Sequence, residues 1–203
     1  MSISGYNIVG LADMIESLGE SRTKEILCDF SCPINRDVEY FLHAKAVEFS
    51  KQGLSKTHLV VTSYKDKPVI CGYFTLCNKI MSVSPKALSS TFRKRIYKFA
   101  KWNPVVKEYS VPAPLIAQFG KNFTNGYDKL ISGDELLKIA TDMVMQFFRI
   151  VGGRIIYLEC EDTEKLICFY SDNGFVNFGK RYLDREEVDR VNGTYLIQML
   201  RYT

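Results

Sequence analysis

The sequence predicts an α+β domain: a mixed, mostly antiparallel twisted central sheet with helices on both faces. Three observations carry this prediction. Two β-rich runs, His58 to Ser63 and Val69 to Cys77, are joined by a short polar segment of hairpin length. A long amphipathic helix stands between two apolar strand runs in the second half, and the strand, helix, strand, helix, strand order there implies one parallel crossover followed by an antiparallel end. The 203 residues, 46% hydrophobic and 25% charged, have the make-up of an ordinary globular chain and predict a single domain over residues 1–203. A net charge of +4 is a mild basic bias, compatible with a phosphate-bearing ligand or nucleic acid and requiring neither.

Ile8 to Leu27 reads as helix, with Leu11, Met14, Ile15 and Leu18 at helical spacing and Gly19 as an end before a further turn. After a break at Asp29 to Pro33, Asn35 caps an amphipathic helix that sets Val38, Phe41, Leu42 and Phe49 on one face, and Gly53 closes it. The hairpin follows, with Tyr64 to Pro68 as its connection and a second strand able to run on to Val83. Next comes a segment whose charge is mostly positive. Arg93, Lys94, Arg95, Lys98 and Lys101 alternate with Phe92, Ile96, Tyr97, Phe99 and Trp102. Such a mixture could bind RNA, cations on phosphates and rings on bases, but the favoured reading is an amphipathic excursion whose aromatics pack on the domain while its cations stay solvated.

The stretch Pro114 to Leu137 is the joint of the chain. Pro112 and Pro114 keep the backbone extended into an apolar run at Leu115, Ile116, Ala117 and Phe119, and Gly120, Asn122, Asn125 and Gly126 supply turn chemistry. Ser132-Gly133-Asp134-Glu135 is an S-x-x-E capping box, so a helix begins at Gly133 and runs to about Val151, where Gly152 and Gly153 stop it. A loop leading into a helix N-terminus can hold an anion on free amides. Arg154 to Cys160, a short helix ended by Gly174, and strands at Phe175 to Phe178 and Tyr195 to Leu200 complete the chain, with a charged loop from Asp184 to Asn192.

Six cysteines without a signal peptide before them predict free thiols in a cytoplasmic setting. Cys28 and Cys32 lack the second pair that a zinc site requires, so no metal is expected. No apolar run approaches the roughly 20 residues of a membrane span.

Leu166-Ile167-Cys168-Phe169-Tyr170 followed by Gly174-Phe175 resembles the A-I-x-F-Y-x-x-x-G-F segment of the GNAT N-acetyltransferases. Phe30, Cys32, the helix DVEYFLHAKA, Gly53 to Thr57 and Cys71 to Leu76 are similar to the branch that includes bacterial acetyltransferase toxins of toxin-antitoxin pairs. The likeness covers nearly the whole chain and implies a sheet splayed at its two central strands. Such proteins commonly read R-L-A-V-D along the central strand, where this chain has Gln118 to Asn122. Their Q/R-x-x-G-x-G/A phosphate loop is matched here by Gly133, with Asp128 and Ile131 at two of the other positions. Asp134 and Glu135 place two carboxylates there, which Lys121 and Lys129 can offset.

The resemblance implies an acetyl-CoA-dependent transfer to an amine by direct attack, with acetyl-CoA as co-substrate and Tyr170 as general acid at the sulfur. It places the pantetheine arm along Phe119, Gly120 and Lys121, the pyrophosphate at Ile131, Ser132, Gly133, Asp134 and Glu135, and further cofactor contacts at Asp162, Thr163 and Phe169. The acceptor amine is a small molecule, a protein or aminoacyl-tRNA. A homodimer and an antitoxin are further partners the branch implies, with no membrane. Glu159 is a candidate base left unassigned, and the nucleophile chemistry open to Cys160 and Cys168 is not required by the family mechanism. The competing class is a non-catalytic RNA- or partner-binding module on a degenerate GNAT fold.

Overall fold

Two short antiparallel strands, β1 (Ser2–Ile3) and β2 (Tyr6–Gly10), open the computed structural model, which describes residues 2–3 and 5–203. The chain forms two compact units, Met1–Cys77 with Ala117–Met143, and Asn78–Ile116 with Val144–Thr203.

In the first unit, Ile8 pairs with Val60, so the helix predicted from Ile8 begins instead at Leu11. Tyr6 and Ile8 are buried at a spacing of two, which is strand periodicity, and Leu11 starts the helical pattern only after them. Helices α1 (Leu11–Leu18) and α2 (Glu20–Cys28) are separated by Gly19, whose φ of 79° is open to glycine at no steric cost. Asn35 caps α3 (Arg36–Tyr40) by accepting from the amides of Asp37 and Val38. The predicted single helix is in fact three pieces, because a widened π turn at Phe41–Lys45 intervenes before α4 (Ala46–Lys51). In α3, just before that turn, the Val38 carbonyl accepts from the hydroxyl of fully buried Tyr73 at 2.5 Å, a partner 35 residues away.

Strands β3 (Lys56–Tyr64) and β4 (Lys67–Val83) form the predicted hairpin. Lys65 and Asp66 at its tip both take positive φ, the geometry whose twist matches antiparallel strands. The core here is one cluster including Leu11, Leu27, Phe30, Val38, Leu42, Leu59 and Tyr73.

The second unit holds α5 (Ser90–Ile96), β5 (Lys101–Asn103) and the first part of β6 (Glu108–Lys121). It also holds the end of α6 (Gly133–Val151), then β7 (Ile155–Glu161), α7 (Glu164–Asp172), β8 (Val176–Tyr182) and β9 (Tyr195–Tyr202). Strand order is β1-β2-β3-β4-β6 in the first unit and β4-β6-β7-β9-β8 in the second, with β5 also on β6. The β6–β7 ladder is parallel, joining Leu115 to Tyr157 and Ile116 to Leu158, and the α6 crossover explains it. β7–β9 and β8–β9 are antiparallel. This is the mixed α+β sheet that the sequence predicts.

Candidate functional site

The first group of candidate residues lies on β6 and the connection to α6. Gly120 is buried because α3 crosses it closely: a Cβ there would stand 2.5 Å from Val38 Cγ1. Beside it, Gln118 Nε2 donates to Asp37 Oδ2 at 2.9 Å, so β6 and α3 are joined by packing and by a charged hydrogen bond. Phe119 is half-buried. Lys121 is folded back, its Nζ donating to the Asp128 carbonyl at 2.9 Å, while Lys129 is exposed. The connection is a 3-10 turn, Thr124–Leu130, kinked at Asn125 and Gly126 by positive φ.

Ile131, 2% exposed and extended, leads into the α6 N-terminus. There the capping box forms as expected: the Ser132 amide donates to Glu135 Oε2 at 2.9 Å and the Glu135 amide donates to Ser132 Oγ at 3.1 Å. These bonds hold the Glu135 carboxyl below its ordinary range. Tyr6 stands against the same turn, its hydroxyl donating to the Leu130 carbonyl at 3.0 Å. Burial, and then the Glu135 charge, raise its phenol. Two amides of the Ile131–Glu135 backbone are therefore already bonded within the box. An anion arriving here meets the dipole of a 19-residue helix and the Gly133 backbone, and must displace or outlast the Glu135 carboxylate. The backbone thus suits a pyrophosphate, while the side-chain charge opposes it.

Asn122 in this region was assigned only turn chemistry by its sequence. At 3% exposure it is a structural hub: Oδ1 accepts from the amides of Ser31 and Thr124, both at 3.0 Å, and Nδ2 donates to the Ile70 carbonyl at 2.8 Å. Its own amide donates to Cys71 O. Its sequence signal was that of a turn residue alone, and only its burial marks it as a side chain whose amide must be paired.

The second group lies on β7 and α7, in the second unit. Thr163 caps α7, accepting from the Leu166 amide at 3.4 Å. Asp162 accepts from the Tyr195 hydroxyl at 2.5 Å, with Lys180 at 4.0 Å. Tyr170 is 7% exposed and packs edge-on against Phe169 and Phe175. Burial, and then the neighbouring Cys160, push its phenol far above its ordinary value, so it keeps its proton through neutral pH.

Glu159 is fully engaged. Oε2 receives Arg181 Nε at 2.6 Å and Oε1 receives Gln198 Nε2 at 2.9 Å, while Arg181 also holds Glu187 through Nη1 at 2.8 Å and Nη2 at 2.9 Å. Its carboxylate is thus committed to an arginine and an amide. Burial pushes the Cys160 thiol up to about 12, which leaves no thiolate for nucleophilic attack at neutral pH. Cys168 is exposed. Among the described residues no three His, Cys, Asp or Glu side chains are grouped to hold a metal, and no helix is long and apolar enough to cross a membrane.

The fold matches solved structures along nearly the whole chain. AtaT complexed with acetyl-methionyl-tRNAfMet superposes with a TM-score of 0.61 at 17% identity, covering 95% of this chain and 93% of that one. A tyrosine-to-phenylalanine mutant of KacT gives 0.62 at 17% identity over 96% and 94%. AtaTR bound with AcCoA gives 0.56 at 15% identity over 96% and 93%. The fold is that of the GNAT acetyltransferase toxins. No family model and no curated protein matches the sequence itself.

Proposed function

We propose that this chain is an acetyl-CoA-dependent N-acetyltransferase whose acceptor is the amino group of an aminoacyl-tRNA. The observation that carries the reading is the whole-chain likeness to AtaT, which has been solved with acetyl-methionyl-tRNAfMet, and, as AtaTR, with AcCoA. Supporting it, the tyrosine of the F-Y pair is retained as Tyr170 and is held protonated. Relatives solved as tyrosine-to-phenylalanine mutants draw attention to the same residue type.

In this reading the free amine attacks the thioester carbonyl, the C–N bond forms and the C–S bond breaks. The Tyr170 hydroxyl gives its proton to the departing thiolate, and the proton lost by the amine restores the Tyr170 hydroxyl by way of water. No covalent enzyme intermediate is formed, in keeping with a Cys160 thiol that stays protonated. The β6 backbone at Phe119 to Lys121 pairs with the pantetheine arm as an added strand. The amides at Ile131 to Glu135 receive the pyrophosphate, and Asp162, Thr163 and Phe169 complete the cofactor contacts. By likeness to toxins solved with an antitoxin segment, a cognate antitoxin is the expected protein partner, and the protein works in the cytoplasm.

The test is binding and turnover with Tyr170→Phe. Acetyl-CoA at a hundred times its Kd stabilises a binder by about 2.7 kcal/mol, a Tm rise of roughly 5–10 °C for a chain of this size. Both proteins are expected to show that rise. Acetylation of methionyl-tRNA is expected to fall at least a hundredfold in the variant. Absence of any thermal shift at millimolar acetyl-CoA overturns the reading and leaves the degenerate, non-catalytic module, which the closed Ser132–Glu135 box favours.

A further inference from the structure

The segment from Ser84 to Lys107 holds seven of the chain's 27 basic residues and none of its 23 acidic ones, so it carries +7 while the rest of the chain carries −3. Its buried apolar side chains are Leu88 and Ile96, at 9% and 0% exposure. Of its aromatic rings Phe92 is half-buried, whereas Tyr97, Phe99 and Trp102 are exposed. Trp102 is 44% exposed and Tyr97 37% exposed.

The rings are ordered by the backbone. β5 pairs antiparallel with β6 so that Trp102 lies opposite Tyr109. Tyr97, just past the end of α5, stacks on Tyr109 with centroids 4.0 Å apart and planes 27° apart, and Trp102 leans on the same ring from 4.9 Å. Half-buried Tyr109 thus contacts two exposed rings. Close by in the same unit, Phe99 approaches Tyr202 at 6.5 Å, and Arg95 Cζ stands 5.4 Å from the Tyr202 centroid. The acidic residue next in sequence, Glu108, is bonded to Ser82.

We infer that the Tyr97–Tyr109–Trp102 ladder, with Arg93, Lys94, Arg95, Lys98 and Lys101 of the same segment, is a binding platform for single-stranded RNA. Unpaired bases stack on the exposed faces of Trp102 and Tyr97 and the cations take the phosphates. Duplex RNA hides its base faces and offers nothing to stack. An acidic protein segment satisfies the cations but leaves two exposed rings without a planar partner, so the rings and the charge together favour nucleic acid. The RNA's role as carrier of the acceptor amine rests on the proposed acetyl transfer, whereas the binding itself does not.

Trp102 is the only tryptophan, so its emission reports directly on the platform. Titration of the full chain with an unlabelled ten-nucleotide single-stranded RNA is expected to quench that emission, and the duplex of the same sequence is not. Raising salt from 50 to 200 mM is expected to weaken binding roughly 50-fold if about four phosphates are engaged. Tyr97→Ala is expected to weaken it about tenfold with an unchanged acetyl-CoA thermal shift, and Tyr170→Phe to leave it untouched. Equal quenching by single strand and duplex, equal quenching by polyglutamate, or a light-scattering mass of two copies with Trp102 already shielded each overturns the platform. None of those outcomes touches the acetyl-CoA test, which fails or succeeds on its own.

Discussion

Replacing Glu135 by glutamine isolates the conflict at the α6 N-terminus. Glutamine also serves at the third position of a capping box, so the reach back to the Ser132 amide is kept while the charge is removed. With the carboxylate about 6 Å from a bound pyrophosphate in water, each pair of unit charges is worth ~0.7 kcal/mol. Against two phosphate charges the repulsion relieved is about 1.4 kcal/mol, roughly tenfold in Kd at low ionic strength. At 0.15 M salt the screening length of about 8 Å cuts this to roughly threefold. The variant is expected to lose about 0.5 kcal/mol of its own stability, since a negative side chain no longer faces the helix dipole. Calorimetric titration with acetyl-CoA at 20 and 150 mM salt, alongside a melt of the free protein, measures both. Unchanged or weaker binding at low salt, or a gain indifferent to salt, would refute the view that Glu135 competes with the phosphates.

Two further outcomes follow from other parts of the chain. Asn122→Ala removes an acceptor from two amides and a donor from the Ile70 carbonyl in a buried setting, and is expected to cost about 2–4 kcal/mol, lowering Tm by roughly 5–15 °C. A Tm within 2 °C of the parent would show the hub to be dispensable. Arg181→Leu leaves Glu159 and Glu187 without their cation and is expected to cost about 2–3 kcal/mol at pH 7. Because the Arg181 bonds depress the Glu187 carboxyl in the folded state, that part of the stability is complete above the unfolded value of about 4.3 and is lost as pH falls through the lower folded value. The gap between parent and variant should therefore narrow in melts taken below pH 4, and a constant gap from pH 7 to pH 3 would disprove the linkage.

The features legible in the sequence are those decided within one or two turns of chain. Ser132 and Glu135 are three residues apart, so the box and the helix start at Gly133 need nothing from elsewhere. The Asn35 cap and the hairpin tip at Lys65–Asp66 are equally local. Hydrophobic period gave the long helix and the strands, and the F-Y segment marked Tyr170 through its resemblance. Where two periods overlapped, at Ile8 to Leu11, pattern alone misplaced a helix start by three residues, because a buried residue at a junction fits either spacing.

Tertiary structure decided what depends on partners distant in sequence. Asn122 meets Ser31 across 91 residues, Tyr73 meets Val38 across 35, and Glu159 meets Arg181 across 22. Each of those side chains reads from sequence as turn, core filler or free carboxylate, since its role is set by which strand register brings the partner within hydrogen-bond reach. The basic aromatic segment shows the division clearly. Its sequence determined that cations and rings alternate. Only the pairing of Trp102 with Tyr109 decided that three rings join into one exposed ladder rather than scatter into the core, because side-chain stacking is fixed by backbone pairing and the pairing by the fold.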